Sequence, residues 1–306
     1  MKINIVSDYN KADLVTHSGT FHADEVFATV ILNYALDDDK INLIRVDEIK
    51  DIDGKIIYDI GGGKYDHHQL GGNGERDDGI GYASFGLIWK DYGKKSLKKL
   101  GISDDVIDEE FNLIDKKLIE GIDAIDNGKL IVESNPRIEV KTISDLISIF
   151  NSKWDEDKRQ DDCFIEAVSF ANTIFLKVVR SIDAKIKARC YIEDAIDKSK
   201  DRILVLDKFM PWKEWLLNSK NSKAKKILYV VYPSSRGGYN AYAVPKKLGS
   251  FENRKPFPKE WSGLRGNGLS SVTGVKSATF CHNECFICGA ETFDDIMMLA
   301  KIAVGG

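Results

Sequence analysis

Residues Tyr58–Gln69 read YDIGGGKYDHHQ and gather two acids and two histidines within a dozen positions. The preceding β-branched run, Ile56–Ile60, predicts a buried strand with Asp59 at its carboxyl end, and the three glycines allow a tight turn. Ligand sites in open α/β sheets lie at such strand ends. The segment therefore predicts half of a divalent metal site. The alternative is a polar turn with solvated histidines, but two of only five histidines lie here.

The composition is that of a soluble globular chain of 306 residues, with 43% hydrophobic and 30% charged residues, long enough for two domains. A net charge of −4 gives no overall attraction for nucleic acid, so any polyanion must be held by a local basic patch or by bound metal. Five cysteines suit a reducing compartment. The first residues resemble neither a signal nor a transit peptide, and no apolar run reaches membrane-spanning length. We therefore expect a cytoplasmic protein without membrane contact.

The first half alternates strands and helices. Asp13–Thr16 predicts a strand that delivers His17 to its carboxyl end, and a helix is expected from Ala23. Further strands are predicted at 41–46 and 56–60, and helices over 82–92 and 114–125, the latter ending at Gly128. Residues 130–155, which include Pro136, predict irregular connections. This order predicts an α/β fold with a mostly parallel sheet flanked by helices.

The second half begins with one long helical pattern, 161–200, without internal glycine or proline. Strand-like runs follow at 203–206, 226–231 and 239–244, the last two forming a hairpin. We predict a metal-binding catalytic domain over residues 1–160, a linker helix over 161–200 and a smaller α+β substrate-binding domain over 201–306. The glycine-rich segment 262–268 could bind a phosphate, although its composition favours a flexible loop.

Six side chains at these direction changes are candidate metal ligands: His17, His22, Asp24, Asp59, His67, and either Asp126 or Asp123. Their number exceeds what one tetrahedral zinc site needs and suits two divalent ions that share a carboxylate, an arrangement that can hydrolyse phosphoesters. We expect Asp66 to lie behind the ligands, holding backbone or imidazole, and His68 to face the substrate.

Several motifs carry a family resemblance. The triplet Asp66-His67-His68 resembles the DHH phosphoesterase superfamily. Segments 16–25, 65–69, 123–128 and 261–265, with Phe280-Cys281-His282, resemble the melanocyte proliferating gene (Myg) family across nearly the whole chain. This resemblance implies a two-domain DHH-type fold and metal-dependent hydrolysis with two ions, Mn²⁺ preferred over Mg²⁺. It also implies a 3'-to-5' exonuclease acting on RNA or single-stranded DNA.

Residue roles carry over from the resemblance in the same way. The metal positions match His17, His22, Asp24, Asp59, His67 and Asp126, with Asp126 favoured over Asp123. The substrate-facing positions match Arg265 and His282, and Arg254 is a further candidate beside them. The catalytic roles of His68 and Asp66 follow from their positions on either side of His67. Where the family tends to have glycine, this chain has Cys288, which would crowd a phosphate near the backbone.

Three alternatives stay open at this stage. The substrate could be a small molecule such as a dinucleotide or pyrophosphate, or the chain could be a catalytically silent, metal-stabilised binding protein. Cys281, Cys285 and Cys288 have the spacing of an iron–sulfur motif, but their alternation with Phe280, Phe286 and Ile287 favours buried thiols in a strand. The sequence leaves a homodimer open.

Overall fold

Two sheets organise the chain, one in each of the compact units Met1–Asp183 and Ala184–Gly306. The computed structural model describes residues 2–129 and 140–306, so Pro136 lies outside the described residues. The division between the units falls inside the long helix that we predicted as a linker. The three-part domain division drawn from the sequence therefore stays a prediction.

The first sheet is wholly parallel, with strand order β1-β3-β2-β4. Its strands are β1 Ile3–Ile5, β2 Leu14–His17, β3 Ile41–Val46 and β4 Ile56–Ile57. The α/β prediction is confirmed, and His17 does end its strand. The prediction of a strand through Ile60 was wrong: the backbone leaves the sheet early because Asp59 adopts a left-handed φ of 60°.

The helices of the first unit are α1 Ala23–Ala35, α2 Ser84–Lys99, α3 Ile107–Ile114, α4 Glu120–Asp126 and α5 Ile143–Ser148, and a π-helical turn joins α3 to α4. The helix α6, Gln160–Lys198, crosses the boundary between the units. Nearly every residue of α1 is buried, and Phe27 stacks on Phe85 of α2 with ring centroids 5.2 Å apart. These helices fix the ends of α1, α2 and α4 in one region of the unit.

The sequence predicted the end of α4 correctly but did not predict α5. Gly128 follows α4 with a left-handed φ of 73°, as expected of a helix-terminating glycine. The prediction of irregular structure was wrong over Ile143–Ser148. There Thr142 and Asp145 form a capping box, in which each side chain binds the other's backbone N–H, and so begin a helix.

The second unit holds a mixed sheet of order β5-β6-β7-β9-β8. Its strands are β5 Ile203–Val205, β6 Tyr229–Pro233, β7 Tyr239–Ala243, β8 Ala278–Cys281 and β9 Ile287–Ala290, and its own helices are α7 Lys213–Asn218, α8 Gly266–Thr273 and α9 Phe293–Gly305. The predicted β6–β7 hairpin is confirmed by antiparallel pairing. The glycine-rich segment, expected as a loop, instead leads into α8.

The three clustered cysteines lie in a hydrophobic core of this unit that includes Leu269, Ile296 and Leu299. Cys281, Cys285 and Cys288 are all buried, and burial raises the pKa of the Cys281 thiol to about 12. Among the described residues, no metal-binding grouping includes a cysteine. The side chain of Cys288 packs into this core, and its effect on a phosphate near the backbone stays a prediction. No helix within residues 2–129 and 140–306 is long and apolar enough to cross a membrane.

Candidate metal centre

Strand ends and helix ends of the first unit bring five elements to one cluster. The strand β2 ends at His17, and α1 begins directly after His22, which places Asp24 in its first turn. Asp59 follows β4, and Asp126 ends α4. His67 joins them from the loop after β4. All six sequence-predicted ligands thus belong to overlapping groups whose donor atoms lie within 4.8 Å of one another.

The His17 ring has one nitrogen committed to the backbone and the other directed at acids. Nδ1 lies 2.8 Å from the Ser18 carbonyl and donates to it. Nε2 then faces Glu25 Oε1 at 3.0 Å and Asp59 Oδ2 at 3.2 Å. Burial alone would lower the pKa of His17, yet these two carboxylates raise it to about 10. The space between the three atoms therefore requires a positive charge, either a proton or a metal ion.

The His67 ring is in a similar position. Its Nε2 lies 2.9 Å from Asp126 Oδ2, 3.3 Å from Asp59 Oδ1 and 3.7 Å from Asp24 Oδ2. Burial opposes protonation, but Asp126 and Asp59 raise the pKa of His67 to about 10. Burial, with Asp59 and Glu25 nearby, raises the pKa of Asp24 well above its ordinary value. The cluster carries more negative charge than its two imidazoles balance.

His22 is the exposed histidine among the predicted metal ligands and lies at the solvent side of the cluster. Its backbone N–H donates to both carboxylate oxygens of Glu25, at 2.9 and 3.0 Å, which fixes the start of α1. Its ring groups with His17 and Glu25 on one side and with Asp24 and Asp126 on the other. Glu25 was not among our predicted site residues. The only sequence signal for it was its position next to Asp24 in an acidic first turn.

Buried polar atoms that make no well-formed hydrogen bond test whether these residues fit a metal. Asp24 Oδ1, Asp59 Oδ2 and His67 Nε2 are all buried, and among the described residues none of them makes a hydrogen bond of good geometry. Asp59 Oδ2 and His67 Nε2 have only the ion-pair contacts given above. Such atoms are costly to bury unless something binds them. Carboxylate and imidazole donors together suit Mn²⁺, Mg²⁺, Fe²⁺ or Zn²⁺. The residues therefore fit a divalent ion, and the overlapping groups could hold more than one.

The first residue of α2 supports two of the acids from behind. The Ser84 backbone N–H lies 3.3 Å from Asp24 Oδ2, and its hydroxyl donates to Asp59 Oδ1 at 3.0 Å. Ser84 is fully buried, and the positive end of the helix dipole adds to its effect on the carboxylates. We predicted the helix over 82–92 without assigning Ser84 a role.

Asp66 and His68 form a pair at the edge of the cluster. The buried Asp66 carboxylate accepts from the Gly62 N–H at 2.6 Å, from the His68 N–H at 2.9 Å and from His68 Nδ1 at 3.0 Å. The His68 side chain is 57% exposed. With Nδ1 bound to Asp66, its Nε2 is free to face a ligand. A cavity of about 250 Å³ opens here, lined by His22, His68, Asp126, Ser144 and Ser148, among others.

Asp123 and Asp126 lie in different surroundings although only three residues separate them. Asp126 faces His67 in the cluster. Asp123 is fully buried against Arg76 at 2.8 Å and accepts from the Gly86 N–H at 3.1 Å. Burial raises the pKa of Asp123 to about 7, against the pull of Arg76. The groupings of possible metal ligands include Asp126 and not Asp123 among the described residues.

Two residues that the sequence did not suggest hold the loop between His17 and His22. The Asn151 side chain accepts from the Phe21 N–H at 3.0 Å and donates to the Phe21 carbonyl at 2.9 Å. The buried Arg45 donates to the Gly19 carbonyl at 2.8 Å. These contacts span 130 and 26 residues of sequence, so no local motif could have revealed them.

The three predicted substrate-facing residues belong to the second unit. Arg265 is exposed immediately before α8, and its segment pairs with β8 at Phe280. His282 follows β8, and its Nδ1 accepts from the Glu284 N–H at 3.1 Å. Arg254 instead donates to the carbonyls of Ala224 and Ile227, at 2.6 and 2.9 Å. Arg265 and His282 thus lie on neighbouring segments, whereas Arg254 ties backbone together.

Comparison with known proteins shows the family of the chain. A family model named MYG1_exonuc, described as "Uncharacterised protein family (UPF0160)", matches residues 13–304. The chain belongs to the MYG1 family. It is similar to the MYG1 protein YER156C of Saccharomyces cerevisiae, with 32% identity over 95% of both chains. It is also similar to the proteins named MYG1 exonuclease of Mus musculus and Homo sapiens, at 29% identity, over 94% of this chain and 83% and 84% of theirs. No solved structure matches the chain.

Proposed function

We propose that this MYG1-family chain is a phosphodiester hydrolase that uses two divalent metal ions, with Mn²⁺ preferred and Mg²⁺ as the alternative. The observation that carries the proposal is the convergence of Asp24 Oδ1, Asp59 Oδ2 and His67 Nε2, three buried atoms that make no hydrogen bond of good geometry among the described residues. The relatives named MYG1 exonuclease support hydrolysis of nucleic acid.

Each polar side chain of the cluster has a role in this proposal. The ions would be held by His17, His22, Asp24, Asp59, His67 and Asp126. Bound there, they would supply a nucleophile from water and stabilise charge on the phosphoryl oxygens. Asp59 contacts both His17 and His67, so it is the acid placed to be shared. Ser84, which donates to Asp59, and Glu25, which accepts from the His22 backbone N–H, would orient these ligands.

The proton donor in this proposal is His68. Its Nδ1 binds Asp66, which fixes the ring and directs Nε2 toward the cavity side of the cluster. Asp66 holds the same ring and the tight turn, so it is a positioning residue. An imidazolium at this point can donate a proton to the leaving oxygen or a hydrogen bond to a phosphate.

For the substrate we propose the 3' end of RNA or single-stranded DNA, cleaved in the 3'-to-5' direction in the cytoplasm. The net charge of −4 does not favour polyanions, so the phosphates need local cations. The exposed Arg265 and the half-buried His282 would supply them from a substrate-binding domain at residues 201–306. Arg254, which is bound to two carbonyls, contributes through the structure of that domain rather than by direct contact.

A small substrate such as a dinucleotide or pyrophosphate is the second candidate. The cavity beside His22, His68 and Asp126 measures only about 250 Å³, which favours a compact ligand. Both candidate functions use the same metal-ligating residues and differ only in the length of the substrate. The two are separated by substrate choice rather than by mutation.

The test is Mn²⁺-dependent cleavage of an RNA labelled at its 5' end, compared with a dinucleotide and pyrophosphate. A ladder that shortens from the 3' end is expected, and the variants His67→Ala and Asp24→Ala should nearly abolish it. The matched control is Asp38→Ala, which removes an exposed acid after α1. Cleavage of the small substrates alone would favour the second candidate. A rise in Tm with Mn²⁺ but no cleavage of any substrate would mean a metal-stabilised binding protein and would refute hydrolysis.

A further inference from the structure

An apolar pocket in the second unit has no part in the metal centre. It is a cavity of about 410 Å³ within Ala184–Gly306, and its apolar lining includes Phe209, Met210, Trp212, Tyr232, Tyr242 and Leu248. Trp212 and Tyr232 are buried and give the pocket a fixed floor. Phe209 and Leu248 are 64% and 47% exposed and flank it. Apolar side chains held in the open around a fixed aromatic floor indicate a binding surface.

A continuous series of aromatic rings leads from this pocket to His282. Trp212 meets Tyr242 edge to face, with centroids 5.7 Å apart. Tyr242 then lies 5.3 Å from Phe286, and Phe286 lies 4.4 Å from the His282 ring. Tyr242, Phe286 and His282 are all partly accessible to solvent. Solvent-accessible aromatic rings are the feature on which single-stranded nucleic acids stack their bases.

The charges beside the pocket favour an anionic ligand. Lys213 Nζ lies 2.9 Å from the Tyr242 hydroxyl and 4.2 Å from its ring centroid. No carboxylate among the described residues lies within ion-pair distance of Lys213. Lys185 is neutralised by Glu214 at 2.5 Å. An exposed cation next to aromatic rings matches a ligand that has both a flat apolar ring and a phosphate, whereas an apolar protein segment would leave Lys213 without an anionic partner.

We infer that this pocket binds a nucleobase of a single-stranded nucleic acid, with Phe209 as the exposed stacking face and Lys213 at the adjoining phosphate. The inference rests on the proposed action on nucleic acid and adds a base-binding site to it. The consecutive ring contacts through Tyr242 and Phe286 connect this site to His282, a proposed substrate-facing residue. The pocket contacts bases through their faces, so it holds RNA or DNA without reading sequence.

The test compares Phe209→Ala with Phe251→Ala. Both remove an exposed phenyl ring from a loop of the second unit, but only Phe209 lines the pocket, and Phe251 is fully exposed. Binding is measured with Mn²⁺ present by fluorescence anisotropy of a labelled oligonucleotide whose phosphorothioate linkages resist cleavage. We expect Phe209→Ala to raise the Kd at least about fivefold, the low end of base–aromatic stacking, with Phe251→Ala near wild type. Phe209→Tyr should restore binding.

An abasic version of the oligonucleotide identifies the group that is bound. It should bind the wild type and Phe209→Ala equally, because it lacks the ring that stacks. Equal Kd values for the intact oligonucleotide would refute the inference. So would a Phe209→Ala effect confined to an apolar dye such as 1-anilinonaphthalene-8-sulfonate, since the pocket would then take an apolar ligand.

Cleavage is scored separately from binding. Phe209-dependent binding without cleavage would preserve the base site and refute the hydrolase. RNA cleavage combined with binding that does not depend on Phe209 would refute the base site and preserve the hydrolase. A wild-type protein that binds no oligonucleotide would refute the base site. Cleavage of a dinucleotide would then still support a hydrolase, and its absence would refute one.

Discussion

Addition of Mn²⁺ to the metal-free protein should release protons from the cluster. The neighbouring carboxylates raise the pKa values of His17 and His67 to about 10, so at pH 7.5 each ring is about 99% protonated. The proton of interest is on Nε2 in both rings, because Nε2 is the atom that faces the acids. An ion bound to those nitrogens must displace both protons.

The expected release is therefore about two protons per chain at pH 7.5, and Asp24, whose pKa is also raised, adds to it. By linkage, metal affinity should rise about a hundredfold for each pH unit between 7 and 9, or tenfold for each proton displaced. A cluster that bound metal only through its carboxylates would show far less pH dependence.

Isothermal titration calorimetry in buffers of different ionisation enthalpy measures this proton count directly. His67→Gln should lower the count by about one. His282→Gln is the matched control and should not change it, because His282 lies in the other unit and accepts from Glu284. Binding of Mn²⁺ with a proton count near zero would mean that the imidazole nitrogens do not meet the ion, and the proposed ligand set would be wrong.

Three further outcomes are expected. Gly86→Ala would place a Cβ 2.0 Å from Asp123 Oδ2, so the free energy of unfolding measured in urea should fall by about 1–3 kcal/mol. In the control Gly121→Ala the new Cβ meets nothing within 4 Å, so this change should be neutral or stabilising. Asn151→Ala leaves the Phe21 N–H and carbonyl unpaired, so it should cost about 2–4 kcal/mol and weaken Mn²⁺ binding by calorimetry. The stabilisation from the two raised imidazole pKa values is complete below pH 6.5 and lost as pH approaches 10, so metal-free Tm should fall between pH 7 and 9.5 more than Mn²⁺-loaded Tm.

The elements that the sequence predicted correctly are those with a local cause. The strand before His17 and the helix after His22 follow from short apolar periods and an acidic first turn. The helix end near Gly128 follows from the need for a left-handed residue. Spacing along the chain was enough in these cases, because each element contains its own start or stop signal.

The features that the sequence missed depend on contacts between distant segments. Asn151 binds the backbone of Phe21 across 130 residues, and Ser84 supports acids from two other elements. The strand Ile3–Ile5 is only three half-buried residues long and forms because β3 lies beside it. A periodic pattern cannot report a hydrogen bond whose partner comes from another part of the fold.

Asp59 shows how the fold and the cluster depend on each other. It is a buried non-glycine residue with a left-handed φ of 60°, a conformation that costs on the order of 1 kcal/mol or more. The same turn ends β4 early and directs one carboxylate oxygen at His17 and the other at His67. Burial opposes ionisation, yet the two imidazoles hold the pKa of Asp59 below its usual range. The backbone is thus held in an unfavourable conformation at an acid that contacts both rings, as expected where the surrounding packing imposes the geometry of a functional cluster.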